Sequence, residues 1–573
     1  MKLRFLLLPA LLLSASCGPK DGLHSLHVVS TNDTHATWFD SSYVDGSLRK
    51  SVMAAYTGIK RIRETFGADN VLLLDAGDCL QGDNAAYYYN YVDTVAPHPY
   101  PRIVEYMGYD AVAVGNHDLE TGHQVYDRVA TQMKSGGVAW LAGNTFHSDS
   151  GKPYFDKYRI FHRAGLRVAV LGYTNPSIRS WVSEETVAGM DVVDLIPLVQ
   201  NDVDMVRRKE KPDVVIALIH SGYGKGDGRV LENQGLDLYK SLRGVDMVLC
   251  SHDHSPRVEK NDSICLMNSG SHSRFIAHGT LDIQTLRGKV VSKSSKVELI
   301  PVKAEEADPA MREAFRKEYE TVKAFTVKEI GTLDTDLVTR DGFKGMCPYV
   351  NLLHTVSLGC FPAQISFAAP LSYNKTIPAG KLVFNDLFTI YPFENQLYVL
   401  TMSGREIKGY LEASYEAWIQ SPASGHILKI HPHNDMRDGT ARWSFYNRFY
   451  NFDSAAGINY TVDVTKPAGA RVAISSLADG SPFDEDATYN VAMTSYRAAG
   501  GAQYLWEGAG ISDTDSRIVV RYPEIRNLVY DYVLEHGAIK DAEISKPAAI
   551  GSWSFIPQPL AAKALEADMD LLF

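Results

Sequence analysis

The chain has 573 residues, which corresponds to about three or four domains of ordinary size or to two large ones. Hydrophobic residues make up 45% and charged residues 22% of it, and this composition excludes a disordered or fibrous protein. The formal net charge of −11 argues against nucleic-acid polymers and anionic membranes as main partners, since both require a basic surface. A small phosphorylated ligand is still compatible with this charge, because it responds to the local field of its site.

The first residues are typical of an export signal. Lys2 and Arg4 form a basic start, residues 5–13 are an apolar run too short to span a bilayer, and small residues then precede Cys17. Because this leader resembles a bacterial lipoprotein signal, we predict that residues 1–17 are a signal peptide ending at a lipidated Cys17. A plain secretory signal is the alternative. Either way we expect an exported protein of the bacterial cell envelope, in the periplasm or at the cell surface, that touches a membrane only through the lipid anchor.

The cysteines after Cys17 do not look like a disulfide framework. They are odd in number and widely scattered along an exported chain of this size. One or two bridges are compatible with this spacing, and the sequence does not identify the pairs.

From residue 24 to about residue 300, short apolar runs alternate with amphipathic stretches. This alternation is typical of an α/β domain with buried strands. Most runs end in Asp, Asn or His, and the carboxyl ends of strands form the ligand crevice in open α/β sheets, so we expect these polar clusters to converge. The runs are LHVVSTND (26–33), VLLLDAGD (71–78), AVAVGNHD (111–118), VAVLGYTN (168–175), VVIALIHSG (214–222) and VDMVLCSHDH (245–254).

The rest of the chain indicates a second domain and a connection to it. Residues 303–328 are charged and amphipathic and begin with an Asp-Pro start signal, which predicts a linker helix. Residues 331–557 mix helical and strand patterns and are predicted to form an α+β substrate-binding domain. Residues 558–573 are compatible with a helical tail of unassigned role.

The polar strand ends carry carboxylates, an amide and imidazoles. This donor set suits a pair of borderline divalent ions such as zinc, manganese or cobalt better than it suits a thiolate site. Two such ions ~3.5–4 Å apart can share a carboxylate and clamp both oxygens of an in-line displacement at phosphorus. Any one of these residues alone is more often a cap or a satisfied polar group, so the succession of five clusters carries the prediction. The clusters are 33–35, Asp78, 116–118, His220 and 251–254.

At these clusters the chain resembles the 5′-nucleotidase family of calcineurin-like metallophosphoesterases. The resemblance implies a four-layer α/β/β/α sandwich with a dinuclear metal site. The matching motifs are TNDTH (31–35), LLLDAGD (72–78), GNHD (115–118), HSG (220–222) and HDH (252–254).

The resemblance also implies roles for single residues. His117 matches the catalytic histidine that donates to the phosphoryl oxygen, and Glu120 stands where the family usually pairs that histidine with aspartate. The implied metal ligands are Asp33, His35 and His254 for one ion, Asn116, His220 and His252 for the other, and Asp78 as the bridge between them.

The second domain resembles the family's C-terminal domain. YPFEN (391–395) and TSYRAAGG (494–501) match segments that hold a nucleobase between two aromatic rings, which implies stacking by Phe393 and Tyr496 with Asn395 as a polar contact. The 5′-nucleotidases carry a Gly-Gly-x-Arg segment that grips phosphate, whereas residues 365–380 contain no arginine here. This form resembles the 2′,3′-cyclic-nucleotide 2′-phosphodiesterase/3′-nucleotidase branch, and loss of a bidentate arginine weakens recognition of a 5′-phosphate dianion.

The sequence therefore predicts a monomeric, metal-dependent enzyme that scavenges extracytoplasmic nucleotides. It would hydrolyse 2′,3′-cyclic and 3′-nucleotides to nucleoside and phosphate with a metal-bridging hydroxide. A 5′-nucleotidase or nucleotide-sugar hydrolase is the nearest alternative, and a non-catalytic surface binding lipoprotein on a phosphatase scaffold is another. The layout also suggests that the linker acts as a hinge for domain closure.

Overall fold

The computed structural model describes residues 19–182, 184–228, 230–393, 395–434 and 440–573. Cys17 and the predicted signal peptide lie outside the described residues. Within the described ranges, every helix is too short or too polar to cross a lipid bilayer.

The N-terminal domain contains fourteen strands and eight α-helices among the described residues. Its strands are β1 Gly22–Thr31, β2 Val71–Asp75, β3 Ala111–Ala113, β4 Ala139–Leu141, β5 Thr145–His147, β6 Tyr158–Arg163, β7 Leu166–Tyr173, β8 Met190–Val192, β9 Val214–Ile219, β10 Met247–Leu249, β11 Arg257–Lys260, β12 Cys265–Asn268, β13 Phe275–Leu286 and β14 Lys289–Pro301. Its helices are α1 Val52–Phe66, α2 Asn84–Tyr87, α3 Pro99–Met107, α4 Asn116–Glu120, α5 His123–Ser135, α6 Ile178–Trp181, α7 Leu195–Glu210 and α8 Gly235–Ser241.

Two six-stranded sheets pack face to face in this domain. One has the order β14-β13-β1-β2-β3-β4 and the other the order β11-β12-β10-β9-β7-β6. Leu72 of the first sheet and Val168 and Ile216 of the second belong to the core between them. All five residues of β2 are buried, because both faces of a central parallel strand are covered, and this explains the unbroken apolar runs in the sequence.

Helices cover the outer face of each sheet. Ile59 of α1, Ile103 of α3 and Val129 of α5 pack on the first sheet. Val203 of α7 and Leu238 of α8 pack on the second. The predicted four-layer α/β/β/α sandwich is confirmed.

The linker is not the single helix over 303–328 that the sequence predicts. A short turn at Ala304–Glu306 is followed by α9 Pro309–Ala314 and α10 Arg316–Thr326. The two helices are separated at Phe315, whose backbone leaves the helical region while its ring packs in the core of the N-terminal domain. Burial of this one aromatic ring takes precedence over helix continuity and holds the linker on the N-terminal domain at this point. Phe325, near the end of α10, packs instead against Phe384 of the C-terminal domain.

The C-terminal domain surrounds a five-stranded sheet. Its strands are β15 Glu329–Leu333, β16 Leu337–Val338, β17 Ile365–Ala368, β18 Thr376–Ile377, β19 Gly380–Val383, β20 Gln396–Ser403, β21 Ile430–Asn434, β22 Ala441–Phe445, β23 Ser454–Ala456, β24 Ile458–Asp463, β25 Val472–Leu477, β26 Thr488–Thr494, β27 Ile518–Glu524, β28 Ala538–Ile539 and β29 Gly551–Ile556. Its helices are α11 Pro348–Leu358, α12 Asp386–Ile390, α13 Gly404–Trp418, α14 Ser495–Ala498, α15 Ile525–His536, α16 Asp541–Ile544, α17 Pro547–Ile550 and α18 Gln558–Leu572.

The central sheet of this domain has the order β23-β17-β26-β20-β27 and separates two hydrophobic cores. Alternation along β20 sends Leu397 and Val399 to the core under α11 and α15. Tyr398 and Leu400 point to the opposite core under α13. The second domain therefore has the α+β organisation that the sequence predicts.

Residues 558–573 are an integral part of the C-terminal domain. They form α18, which buries Ala561, Ala564 and Leu565 in one of the two cores. Asp568 is fully buried and accepts hydrogen bonds from the backbone N–H groups of Ile427 and Leu428, both at 2.8 Å. The role that the sequence left unassigned is thus, at least in part, structural.

Candidate metal centre and substrate cleft

The carboxyl ends of strands from both sheets place the predicted ligands together. Asp33 follows β1, Asp78 follows β2, Asn116 follows β3, and the ligands after β9 and β10 come from the other sheet. Two groups of metal-ligating side chains result, and the ligand atoms within each group lie within 4.8 Å of one another. The groups are Asp33, His35 and His254, and Asp78, His220 and His252.

The first group brings two imidazoles and one carboxylate together. His35 Nε2 lies 2.8 Å from His254 Nε2, and His254 Nε2 lies 3.7 Å from Asp33 Oδ1. Burial, aided by the nearby His272, lowers the pKa of His254 to about 3. Both imidazoles are therefore neutral near pH 7, which is the state in which histidine binds a metal ion.

The second group places a buried carboxylate oxygen against an imidazole. Asp78 Oδ2 is buried and lies 3.1 Å from His220 Nε2. Asn116 Oδ1 lies 3.0 Å from the same nitrogen and 2.9 Å from His252 Nδ1. Burial lowers the pKa of His220, but the Asp78 carboxylate outweighs it and raises the pKa to about 9. The arrangement calls for a cation, so the residues present fit a second divalent ion.

Hydrogen bonds from the far side of the rings orient the second group. His220 Nδ1 lies 2.7 Å from the carbonyl oxygen of Ala76, and His252 Nε2 lies 2.9 Å from Glu232 Oε1. Such partners fix the tautomer, so that the opposite nitrogen of each ring faces the metal position. Trp181 stacks on the His252 ring, with centroids 5.5 Å apart. Sequence reasoning missed Glu232 and Trp181, because neither stands at a strand end.

Backbone strain marks the same residues. Left-handed conformations are uncommon for residues with a Cβ atom and concentrate at functional sites. Five of the predicted ligands have positive φ angles: Asp33 (47°), His35 (47°), Asp78 (62°), His252 (72°) and His254 (57°).

Asp118 builds the turn that carries Asp78, the carboxylate predicted to bridge the two ions. It is fully buried and accepts hydrogen bonds from the backbone N–H groups of Gly115 and Cys79, both at 2.8 Å, and of Leu80 at 3.0 Å. These bonds tie the loop after β2 to the loop after β3. The GNHD motif thus ends in a residue that shapes the site without facing it, a role that the sequence did not reveal.

Glu120 contacts His117 directly. His117 Nδ1 lies 2.6 Å from Glu120 Oε2, and the other carboxylate oxygen accepts from Asn116 Nδ2 at 3.0 Å. Burial raises the pKa of Glu120, but the neighbouring His117 outweighs it and lowers the pKa below its usual value. The side chain is longer than the usual aspartate, and it spans the gap while orienting both the histidine and the ligating amide.

A cleft of about 660 Å³ joins this centre to the C-terminal domain. Its wall includes His117 and the predicted substrate residues Phe393, Asn395 and Tyr496. The Phe393 ring lies 5.9 Å from that of Tyr450, an aromatic residue that the sequence did not single out. The volume is typical of small-molecule sites and accommodates a nucleotide.

Arg497 contacts the aromatic side chains at one end of the cleft and holds them in place. Its buried guanidinium makes a bidentate ion pair with Asp453, with N–O distances of 2.8 and 2.7 Å. It also lies 5.2 Å from the centre of the Tyr496 ring and donates to the carbonyl oxygen of Tyr450 at 2.9 Å. One arginine thus positions both tyrosines.

The arginine-free segment over residues 365–380 borders the cleft. Ala368 and Ala369 line the wall at this point. The wall contains two arginines among the described residues, and Arg497 is committed to Asp453. Arg448 is exposed and makes no ion pair with any described residue, so it is the cation that the cleft offers to a ligand.

Comparisons with known proteins agree with this geometry. A family described as calcineurin-like phosphoesterase matches residues 26–256, and one described as 5′-nucleotidase, C-terminal domain, matches residues 329–508.

A 2′,3′-cyclic-nucleotide 2′-phosphodiesterase/3′-nucleotidase of Haemophilus influenzae is 24% identical over 93% of this chain and 87% of its own length. A 5′-nucleotidase of Vibrio cholerae is 24% identical over 84% of this chain and 86% of its own. A solved structure from Staphylococcus aureus, described as a candidate 5′-nucleotidase, superposes with a TM-score of 0.75 at 19% identity and covers 93% of this chain and 99% of that one. At this identity the structural match shows the shared fold.

Proposed function

The chain belongs to the calcineurin-like phosphoesterases that carry a 5′-nucleotidase C-terminal domain, and we propose that 2′,3′-cyclic nucleotides and 3′-nucleotides are its preferred substrates. Members of this family hydrolyse nucleotide phosphoesters, and the chain is a hydrolase of phosphoric ester bonds. The observation that carries the assignment to nucleotide phosphoester hydrolysis is one cleft that connects two groups of metal-ligating side chains to an aromatic pocket.

Residues at different positions along the cleft have different roles in the proposed reaction. Two divalent ions, when bound by the ligands described above, supply activation of water and neutralisation of charge at phosphorus. His117, oriented by Glu120, donates a hydrogen bond to the phosphoryl oxygen as charge develops on it. Phe393 and Tyr496 hold the base, which a stacking site accepts with little regard to its identity.

The preference for a phosphodiester or a 3′-phosphate is supported by the scarcity of cations in the cleft. A 5′-phosphate dianion is best held by bidentate arginines. The wall at Ala368 and Ala369 offers none, and Arg448 is one cation with no described ion-pair partner. A cyclic phosphodiester carries one negative charge and needs less compensation.

We also propose that the protein is exported and held at the cell envelope by a lipid on Cys17. The basic, apolar and small-residue order of residues 1–17 supports this. Replacement Cys17→Ser should release the protein from the membrane fraction into the soluble fraction. Equal membrane association of the variant and the wild type would refute the anchor.

Chelation tests the metal-dependent reaction. Treatment with EDTA should abolish hydrolysis of 2′,3′-cyclic AMP, and addition of manganese or zinc should restore it. Asp78→Asn should remove most turnover even with metal present, because Asp78 belongs to one ligand group and is the residue we propose to be shared by both ions. Full activity in EDTA would rule out the proposal, and a protein without tightly held metal and without turnover would favour a binding lipoprotein.

A substrate panel tests the preference. We expect turnover of 2′,3′-cyclic AMP and 3′-AMP to exceed that of 5′-AMP and a UDP-sugar. Phe393→Ala should raise KM for the nucleotides but leave hydrolysis of p-nitrophenyl phosphate unchanged, since that substrate has no base. A higher kcat/KM on 5′-AMP or the UDP-sugar would favour the alternative substrates.

A further inference from the structure

A tight turn after β12 brings an additional imidazole to the metal centre. His272 lines the cleft, and its ring lies 5.1 Å from that of His35 and 6.0 Å from that of His254. It does not belong to either group of converging ligand atoms. Neither the sequence motifs nor the roles proposed above account for it.

The turn is built at a conformational cost. His272 and Ser273 are consecutive residues with positive φ angles of 53° and 52°, although both carry a Cβ atom. Strained residues of this kind persist where the surroundings over-determine them. The backbone N–H of His272 donates to the carbonyl oxygen of Asp33 at 2.8 Å, and Arg274 Nη2 donates to the carbonyl oxygen of His254 at 2.9 Å. The turn is thus tied to two of the ligating residues themselves.

Hydrogen bonding within the turn allows the imidazole to carry its proton on Nε2. Ser271 Oγ accepts from Arg274 Nη2 at 3.1 Å and lies 3.1 Å from His272 Nδ1. The hydroxyl can accept from Arg274 and, at the same time, donate its own hydrogen to His272 Nδ1. The neutral imidazole then carries its proton on Nε2, which has no hydrogen-bond partner among the described residues.

We propose that His272 is a second residue that contacts the transferred phosphoryl group, with Nε2–H donating to a non-bridging phosphoryl oxygen. This inference rests on the proposed function only for the identity of the substrate. The same donor holds inorganic phosphate, the product that the two groups of ligands would retain. His272 and His117 are both neighbours of His35, with the His117 ring 5.4 Å from it, so two donors serve one phosphoryl position.

The test compares two variants that differ in the placed donor. His272→Asn is suited to the left-handed backbone but has no donor at the Nε2 position, whereas His272→Gln places an amide N–H near it. Inorganic phosphate is titrated calorimetrically into the manganese-loaded full chain, with metal content measured by elemental analysis. We expect His272→Asn to bind phosphate ~10-fold or more weakly with both ions retained, and His272→Gln to recover part of the affinity.

His123→Ala is the matched control, since this histidine lies on α5 and bonds to Asp127 and the Ala188 carbonyl outside the cleft wall. Phosphate affinity equal in the wild type and His272→Asn, including no measurable binding by either, overturns the proposal. Loss of an ion from His272→Asn also overturns it, because His272 would then be a metal ligand.

Nucleotide turnover by the wild type distinguishes a failure of the proposed substrates from a failure of the proposed His272 contact. Phosphate binding that depends on His272 in a protein without nucleotide turnover would refute the proposed substrates and leave this contact standing. Turnover of nucleotides with kcat/KM and phosphate affinity unchanged in His272→Asn would refute the contact alone.

Discussion

Individual ligands in this centre depend on residues that lie outside the two ligand groups. His252 is held by the Glu232 carboxylate on one side of its ring and by the Trp181 ring stacked against its face. Partners of this kind set the direction and basicity of a ligating imidazole. The geometry of the centre therefore also depends on residues outside the sequence motifs.

Replacement Glu232→Gln is expected to weaken binding of one of the two divalent ions by ~10–100-fold, because the amide no longer stabilises the proton on His252 Nε2. Metal titration of the apoprotein, followed by competition with a chelating dye, measures the effect. Glu298→Gln is a matched control: Glu298 also bonds a buried histidine, His278, at 3.2 Å, but outside the centre. Equal metal affinity in both variants and the wild type would show that Glu232 does not act through His252.

The sequence predicted which residues converge at the metal centre, but it did not predict the residues that hold them in place. Asp33, Asp78 and His220 could be found because each follows an apolar run, and the ends of neighbouring strands meet in space. Glu232 lies in a loop between β9 and α8 with no such marker, and His272 is placed by a strained turn. Loop conformation depends on tertiary contacts that no local pattern encodes, so these residues required the structure.

Among the elements, the linker and the tail differ most from their sequence patterns. Helical periodicity predicted one bridging helix over 303–328, yet the linker is two helices, and its first part is fastened to the N-terminal domain. Lys60 pairs with Asp308 at 2.9 Å and Arg61 with Glu306 at 2.6 Å. Periodicity reports which face of a helix is apolar but not which domain covers it. We therefore expect any hinge to lie at the end of α10, near Val327, rather than along the helices.

The last helix makes a testable contribution to stability. Asp568→Ala leaves the backbone N–H groups of Ile427 and Leu428 without their acceptor, and burying such groups unpaired costs ~1–3 kcal/mol each. We expect a loss of about 2–6 kcal/mol in the free energy of unfolding of the C-terminal domain, measured by urea titration. Asp570→Ala on the same helix is the control. A change below 0.5 kcal/mol, about the effect of an ordinary surface substitution, would show that α18 does not depend on this residue.

At the scale of the whole molecule, the net charge of the chain does not describe the charge at the metal centre. The formal charge of −11 is spread over the chain, whereas the centre is completed by cations that its ligands fit. Long-range attraction of a nucleotide is screened at physiological salt, so the local field of the ions dominates at contact. An acidic protein can therefore act on an anionic substrate.

The two domains also meet through a small joint beside the cleft. Asn84 Nδ2 donates to Asn385 Oδ1 at 2.9 Å, and Tyr87 Oη donates to Asn527 Oδ1 at 3.0 Å. Ligands at one end of the cleft come from the N-terminal domain and aromatic side chains at the other end from the C-terminal domain. We therefore expect substrate entry and product release to depend on how far this joint opens, as in other enzymes that close around a ligand.

Fixing the joint tests that dependence. In Asn84→Cys/Asn385→Cys, a short thiol cross-linker with an internal disulfide should leave metal content unchanged and reduce kcat by at least ~10-fold, because release is then limiting. Reduction of the cross-linker should restore kcat, and Asn84→Cys alone, treated in the same way, controls for reaction at other thiols; the five described native cysteines are buried. We expect the segment that moves to lie between this joint and Val327. Full turnover in the cross-linked protein would place substrate exchange in loop motion within the cleft instead.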